Sequence, residues 1–304
     1  MQTERIGHEG RLLDLVNRRW DKLDWRTPIP VDRLVITESH YMDVESLGFD
    51  PRGRNAINRL LACFTCELFI HFERYVIEFL EHRRHEIPFV PAAALDRFVA
   101  EEKAHSDAFY RLLVKLRPDL YSTKATTTTG LRFMHWTLGD DAAIALAPVG
   151  SFFLLAWLFE EITIYVPVAL DKHPKQSAPL VSEVMRLHAK EEQPHVAIDA
   201  RVLHHLAKEQ PQWKTGADTL ATLPLLVYSD LRTRTGWQRV VDLADTEIGL
   251  NPIQRQRLLT RGPSQSDRMG MASFADKIDK TPVALGSFLA FLLRRQLRLL
   301  DSRK

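Results

Sequence analysis

Apolar positions recur at helical spacing over most of the chain, and the breaks in that pattern fall at Pro and Gly. From about Arg54 to Arg84 there is neither, and Leu61, Phe64, Leu68, Tyr75 and Phe79 form one stripe. The spacing predicts a long helix. After Glu86-Ile-Pro-Phe-Val-Pro91 a second helix is expected over about Ala92 to Leu116, ended by Arg117-Pro118. The Thr-rich stretch Ser122 to Thr129 reads as a loop. A third helical region covers roughly Leu131 to Leu170, split near Pro148-Val-Gly150, and its second half is apolar all round apart from Glu160-Glu161. A fourth helix is expected from about Pro179 to Lys208. Weaker patterns predict helices near Ala217 to Arg232, Asn251 to Leu259 and Val283 to Leu300, with a loop at Gly262-Pro-Ser-Gln-Ser. Residues 1–53 read as an N-terminal arm with a helix over Arg11 to Trp25; His40, Tyr41 and Asp43 fall in a stretch without a clear pattern. The fold class is all-α.

Composition changes this picture little. The 304 residues are 45% hydrophobic and 26% charged, ordinary for a globular chain. A formal charge of +2 implies no general nucleic-acid surface, and two cysteines make no disulfide framework. The N-terminus lacks a basic-then-apolar signal segment. Ala142 to Phe159 is eighteen residues without a charge, near the lower bound for a membrane span. Pro148 and Gly150 interrupt it and Glu160-Glu161 ends it, so a helix buried in a bundle is expected, in a cytoplasmic protein with no membrane partner.

The chemistry lies on the second and fourth helices. His188, Glu192 and His195 share one helix face, since steps of four and three residues are close to one turn. Two imidazoles and a carboxylate suit iron, manganese or zinc. Glu101-Glu102-Lys103-Ala104-His105 repeats the register of Glu191-Glu192-Gln193-Pro194-His195. At about 100° per residue, Leu95, Phe98, Phe109, Leu113 and Leu116 centre on Glu102, and Val181, Met185, Val196, Leu203 and Leu206 centre on Glu192, while Glu101 and Glu191 fall at the stripe edges. Carboxylates in the middle of core-facing stripes are costly unless paired, protonated or bound to a cation. One such motif reads as a structural Glu–His contact; two on separate helices favour metal.

A dinuclear bundle site needs one further glutamate from each of two other helices. The first helix offers Glu67, among Leu60, Cys63 and Ile70; the apolar helix offers Glu161, with Glu160 a close competitor. By analogy with the other Glu-Glu pairs the second member is taken. Asp199, one turn after His195, could accept that imidazole's second N–H, and Pro194 is expected to bend the fourth helix. Cys63-Phe-Thr-Cys66 has redox spacing but lies mid-helix and reads as two buried residues; His71, His85, His135, His204 and His205 read as surface or packing residues. Arg294, Arg295 and Arg298 near the C-terminus read as a solvated basic face, with a docking or dimer helix as the alternative.

With Glu67, Glu102/His105, Glu161 and Glu192/His195 in place, the chain resembles the ferritin-like di-iron carboxylate proteins. More narrowly, with His188 one turn before the last Glu-x-x-His, it is similar to the aminobenzoate (arylamine) N-oxygenase family over roughly residues 54–208. The resemblance implies a single di-iron oxygenase domain: a ferritin-like helical bundle, with residues 209–304 roofing or flanking the pocket. It implies seven metal ligands, Glu67, Glu102, His105, Glu161, His188, Glu192 and His195, holding two iron ions, with manganese as the alternative. It also implies a peroxo-diferric route from amine to hydroxylamine, nitroso and nitro products in secondary metabolism. The expected partners are a small aromatic amine, O2, a ferredoxin or reductase as electron donor, and a second copy in a homodimer. Arg268 and Lys277 are candidate partners for a substrate carboxylate. The alternatives are a di-iron C–H hydroxylase on the same scaffold, an iron-oxidising or iron-storing protein without organic substrate, and a zinc or manganese hydrolase.

Overall fold

Asp50 starts the first long helix. Its carboxylate accepts the Gly53 N–H at 2.7 Å and Pro51 occupies the first turn, which satisfies an orphan donor and presets φ. This helix is α1 (Pro51–Arg83) of a computed structural model that describes residues 12–13, 16–30, 35, 47–122, 125, 130–170, 177–260 and 265–301. A 3₁₀ turn at Arg84–Glu86 leads to α2 (Ala92–Leu116). There follow α3 (Leu138–Leu146), α4 (Val149–Leu170), α5 (Pro179–Glu209), α6 (Gln212–Ile248), α7 (Pro252–Leu259), α8 (Gln265–Ile278) and α9 (Gly286–Asp301). Among the described residues there is no strand, so the chain is an all-α helical bundle, as the periodicity predicts. His40, Tyr41 and Asp43 lie outside the described residues.

The closest packing is within two helix pairs, α1 with α2 and α4 with α5, and α2 against α5 joins them. Helix α6 lies along α1 and α4, α8 covers α4, and α9 rests on α8. Two apolar cores result. One gathers Leu60, Phe64, Phe109, Val184 and Trp237; the other gathers Phe79, Phe98, Phe153, Leu203 and Phe274. The buried glutamates and histidines of α1, α2, α4 and α5 form a polar layer between them.

Helices α6 and α8 and the N-terminal arm differ from expectation. Helix α6 runs 37 residues, through Pro224, until Gly249 takes a left-handed conformation (φ 66°) that stops it. Helix α8 already begins at Gln265, where no helix was expected, and Gly270 lets it lie so close to α4 that a Cβ there would meet the Ile162 backbone at 2.4 Å. Helix α5 passes through Pro194 without interruption, and that proline is on the exposed side. Of the N-terminal arm, residues 16–20 are helical and a turn follows from Asp21. Helix α4 is long and apolar enough to cross a membrane, with mean hydropathy 1.7, yet 72% of that window is buried within the bundle. Arg294 on α9 is held by Asp276 and Asp279, while Arg295 and Arg298 are exposed.

The second core depends on Phe79, whose ring stacks on Phe152 at 3.7 Å and meets Phe153 edge-on at 5.8 Å. Phe79→Ala should cost about 3–5 kcal/mol in urea unfolding, the range for a fully buried aromatic ring. A loss under about 1 kcal/mol would mean that this core carries little of the stability.

Candidate metal centre

Two groups of buried ligand atoms converge between the helix pairs. Glu73, His105, His188 and Glu192 form one, and Glu102, Glu160, Glu192 and His195 the other; within each group the ligand atoms lie within 4.8 Å of one another. Glu192 belongs to both. Its Oε1 is 2.7 Å from His188 Nε2 and 3.3 Å from His105 Nδ1, while its Oε2 is 3.1 Å from His195 Nδ1. Glu73 Oε1 is 3.2 Å from His188 Nε2, and Glu102 Oε1 is 2.8 Å from His195 Nδ1.

Apart from His195 Nδ1 with Glu192 Oε2, which has hydrogen-bond geometry, these contacts are close but poorly directed. Glu73 Oε1, Glu102 Oε1, both Glu160 oxygens, His105 Nδ1 and His188 Nε2 are fully buried and make no hydrogen bond of acceptable geometry. Orphaned buried polar atoms are rare, and a whole cluster aimed at two common points fits cations better than it fits hydrogen bonding. Charge agrees. Four glutamates carry −4 when ionised, and two divalent ions would balance them with all three imidazoles neutral.

The sequence motif Glu-Glu-x-x-His is used crosswise. The second glutamate of each pair, Glu102 or Glu192, faces the centre. The first orients the histidine of the opposite helix: His105 Nε2–H donates to Glu191 at 3.1 Å, and His195 Nε2–H to Glu101 at 3.1 Å. That leaves each Nδ1 as the ligand atom. Arg19 bonds Glu191 at 2.8 Å and comes within 3.9 Å of Glu101, Arg97 bonds Glu101, and Trp20 Nε1–H donates to Glu191. Both carboxylates are consequently held below their ordinary pKa: burial would raise them, but the histidine and arginine partners outweigh it. Aromatic rings fix the imidazoles. Phe98 stacks on His195 at 3.9 Å, Phe69 on His188 at 5.5 Å, and Trp20 meets His105 edge-on at 5.5 Å.

Comparisons with protein-family models, with curated proteins and with solved structures found no match. The site therefore rests on its own geometry.

Of the seven residues expected as ligands, Glu102, His105, His188, Glu192 and His195 come together, and Glu67 and Glu161 lie elsewhere. Glu67 accepts the backbone N–H groups of Arg132, Phe133 and Met134 and the Tyr121 hydroxyl, at 2.6–2.8 Å. It pins the segment before α3 rather than facing the centre. Glu161 points to α8, accepting from Trp157 Nε1, Ser273 Oγ and Lys277 Nζ. Lys277 is thereby committed to Glu161. Glu73 and Glu160 occupy the positions expected of them.

Hairpin geometry selects Glu73. It lies ten residues before Arg83 at the end of α1, and Glu102 lies ten residues after Ala92 at the start of α2, so the two stand level. Glu67 is six residues, about 9 Å, further along the axis. No comparable signal chooses Glu160 over Glu161, because α4 is apolar on every side. Asp199 does not serve His195, whose second nitrogen is taken by Glu101; it lies fully buried beside Glu160 instead. Burial pushes both of these carboxyls well above the usual range, with the Asp199 charge adding to it at Glu160 and the Glu192 and Glu102 charges adding to it at Asp199. Cys63 and Cys66 are buried thiols pushed upward by burial, with no redox context.

A small cavity of about 10 Å³ touches the centre, lined by Phe69, Phe72, Thr163, Glu73, Glu160, His188 and Glu192. Phe69 and Phe72 form its apolar wall, opposite the ligand side chains.

Substitution separates the two kinds of buried acid. Glu73→Ala and Glu160→Ala should each lower bound metal by about one ion per chain, read by elemental analysis, with folding retained in circular dichroism. Glu161→Ala should keep both ions. Glu67→Gln should keep both but lower stability by about 1–3 kcal/mol, since charged acceptors of backbone N–H are lost. Loss of metal from Glu161→Ala with none from Glu160→Ala would reverse the assignment.

Without metal the centre should titrate. Burial alone would lower the His105 pKa, but Glu191 and Glu192 outweigh it and raise the imidazole from 6.5 to about 10. Burial, then the Glu192 charge, raises Glu102 to about 7. A folded-state pKa above the unfolded one contributes stability that is full below the unfolded value and fades as pH rises through the folded value. The urea midpoint of the metal-free protein should therefore fall between pH 6.5 and about 10. Metal-loaded protein should show a flatter profile, because the bound imidazoles are already deprotonated. A midpoint that rises over this window in the metal-free protein would contradict the protonated His105.

Proposed function

We propose that the centre holds two iron ions and that the protein is an O2-dependent oxygenase acting on the nitrogen of an aromatic amine. The observation that carries this reading is the pair of buried ligand groups sharing Glu192, with a third imidazole, His188, added to the two crosswise histidines. The ligand set of four carboxylates and three imidazoles suits iron or manganese, and the oxygen-rich environment favours a redox metal over zinc. The bundle would then be of the ferritin-like di-iron kind.

When bound, the iron pair would supply two electrons towards dioxygen and regain them from an external donor. The overall balance is amine, O2, two electrons and two protons giving hydroxylamine and water. The protein's own part is positional. Glu101 and Glu191 hold His195 and His105 with Nδ1 inward, and Ser106 Oγ–H donates to Glu73 Oε2 at 2.6 Å, leaving Oε1 for the centre. The Glu160–Asp199 pair sits where a proton can be kept beside the ligands. Phe69 and Phe72 keep water from the cavity at Glu73 and Glu160, which limits side reactions of a reactive oxidant. Pure iron storage makes no use of so small an enclosed cavity.

Iron-loaded, reduced protein mixed with ¹⁸O2 and an arylamine tests this. The N-hydroxylated product should carry one ¹⁸O, and Glu160→Ala should lower its rate at least about a hundredfold. Ferric mineral formed at a rate independent of the amine would instead make this an iron-oxidising protein. Oxygen found only on carbon would make it a C–H hydroxylase.

A further inference from the structure

Helix α6 buries one face, through Thr215, Thr219, Thr222, Gly236 and Trp237, and leaves the other uncovered. Between Trp213 and Leu231 eight positions are exposed, and six of them are apolar: Trp213, Ala217, Leu220, Pro224, Val227 and Leu231. An exposed helix face is ordinarily polar. The other two, Lys214 and Asp230, stand at the two ends. Spacings of four, three, four, three and four residues place the six on one stripe. It is about 27 Å long and has the 3.5-residue period of a seam between two helices.

The exposure is large: Trp213 is 75% exposed, Val227 60%, Leu231 56% and Leu220 47%. At its Trp213 end the stripe forms one wall of an open groove of about 850 Å³, and Pro282, Val283, Ala284 and Leu285 form the other. The Thr219 hydroxyl donates to the Ala284 carbonyl at 2.8 Å and ties that second wall to α6. Leu285 sits there in a left-handed conformation (φ 63°), a strained state for a leucine. The stripe and Leu285 together offer roughly 600 Å² of apolar surface, the upper end for a patch on a monomer. Two copies face to face would bury about 1,200 Å², where specific interfaces begin.

We propose that a second copy of the chain docks on this face, with the two α6 helices side by side and antiparallel about a twofold axis at Thr222. A twofold contact needs a face complementary to itself. This register sets Trp213 against the partner's Leu231, Ala217 against the partner's Val227 and Leu220 against the partner's Pro224. Large residues then meet smaller ones, and the exposed Val227 and Leu231 of each copy come to the groove of the other. Parallel pairing would set Trp213 against Trp213 and Lys214 against Lys214. The antiparallel arrangement keeps the two Lys214 side chains about 24 Å apart along the axis, each level with an end where Asp230 and Arg234 already pair at 2.7 Å. Residues 215–229 carry one charge, Asp218, and it accepts the Gly150 N–H. Loss of charge is the compositional mark of an interface core. The family resemblance implies a second copy but no face for it, and the dimer helix that the sequence suggests is α9, not α6. None of the stripe residues belongs to the metal centre, so the dimer is independent of what the centre binds.

Sedimentation equilibrium of the full-length protein tests this. The wild type should be dimeric at micromolar concentration. Leu220→Glu and Val227→Glu should each raise the dimer dissociation constant at least about a hundredfold, with helix content and bound metal unchanged. Both positions are exposed, and either variant suffices if the other fails to fold. A short bismaleimide reads the orientation, with Cys63 and Cys66 buried away from the reagent. Ala217→Cys co-expressed with Val227→Cys should cross-link. Neither should cross-link with itself, because across the twofold axis each lies ten residues, about 15 Å, from its own counterpart. A monomeric wild type, a dimer that survives both glutamates, self-cross-linking of either cysteine variant, or no mixed product would overturn the proposal.

Discussion

The molecule is organised by the cost of burying four carboxylates in an apolar bundle. Glu73, Glu102, Glu160 and Glu192 are all at most 2% exposed, and an ionised carboxylate in such surroundings is stable only with a matching positive charge. Protonated histidines meet part of this charge in the metal-free protein, which is why His105 and His195 are raised so far. Two divalent cations would meet all of it. The two apolar cores on either side hold the helices at a separation where this layer fits, and neither core is continuous through it.

Burial of an acid is not itself the diagnostic feature. Glu67 and Glu161 are as buried as the four that converge, but each is surrounded by its own donors, three backbone N–H groups and a tyrosine for one, tryptophan, serine and lysine for the other. They are structural anchors, one fixing the segment leading into α3 and the other fixing α8 to α4. The acids of the centre differ in what they lack. Glu73 Oε1, Glu102 Oε1 and both Glu160 oxygens lie buried near the imidazoles or one another without completing hydrogen bonds, and the residues behind them are engaged. Satisfied surroundings and unsatisfied ligand atoms together are what a preorganised cation site requires.

The repeated Glu-Glu-x-x-His motif shows how much was legible beforehand. Its apolar stripe correctly placed Glu102 and Glu192 towards the interior and put Glu101 and Glu191 at the edge. Edge placement left those two residues without a role, whereas they reach across to the opposite histidine. Periodicity along one helix ranks its faces but is blind to what a neighbouring helix presents there. The α1 ligand was open to a better reading, since levelling the two arms of the α1–α2 hairpin points to Glu73 and away from Glu67. Asp199 was placed on the correct face but given the wrong neighbour for the same reason.

The all-α class, the four principal helices, the two motifs and the added His188 were determined by the sequence itself, because helical periodicity and spacing are local properties. The choice between Glu160 and Glu161 was not. On a helix apolar all round, a rotation of 100° carries no sequence signature, and only the packing of α8 decides which acid finds Ser273 and Lys277 and which faces His195 and Glu192. Likewise the small cavity lined by Phe72 and Phe159 draws its walls from α1, α3, α4 and α6, which are distant in sequence. It exists only once those helices are brought together.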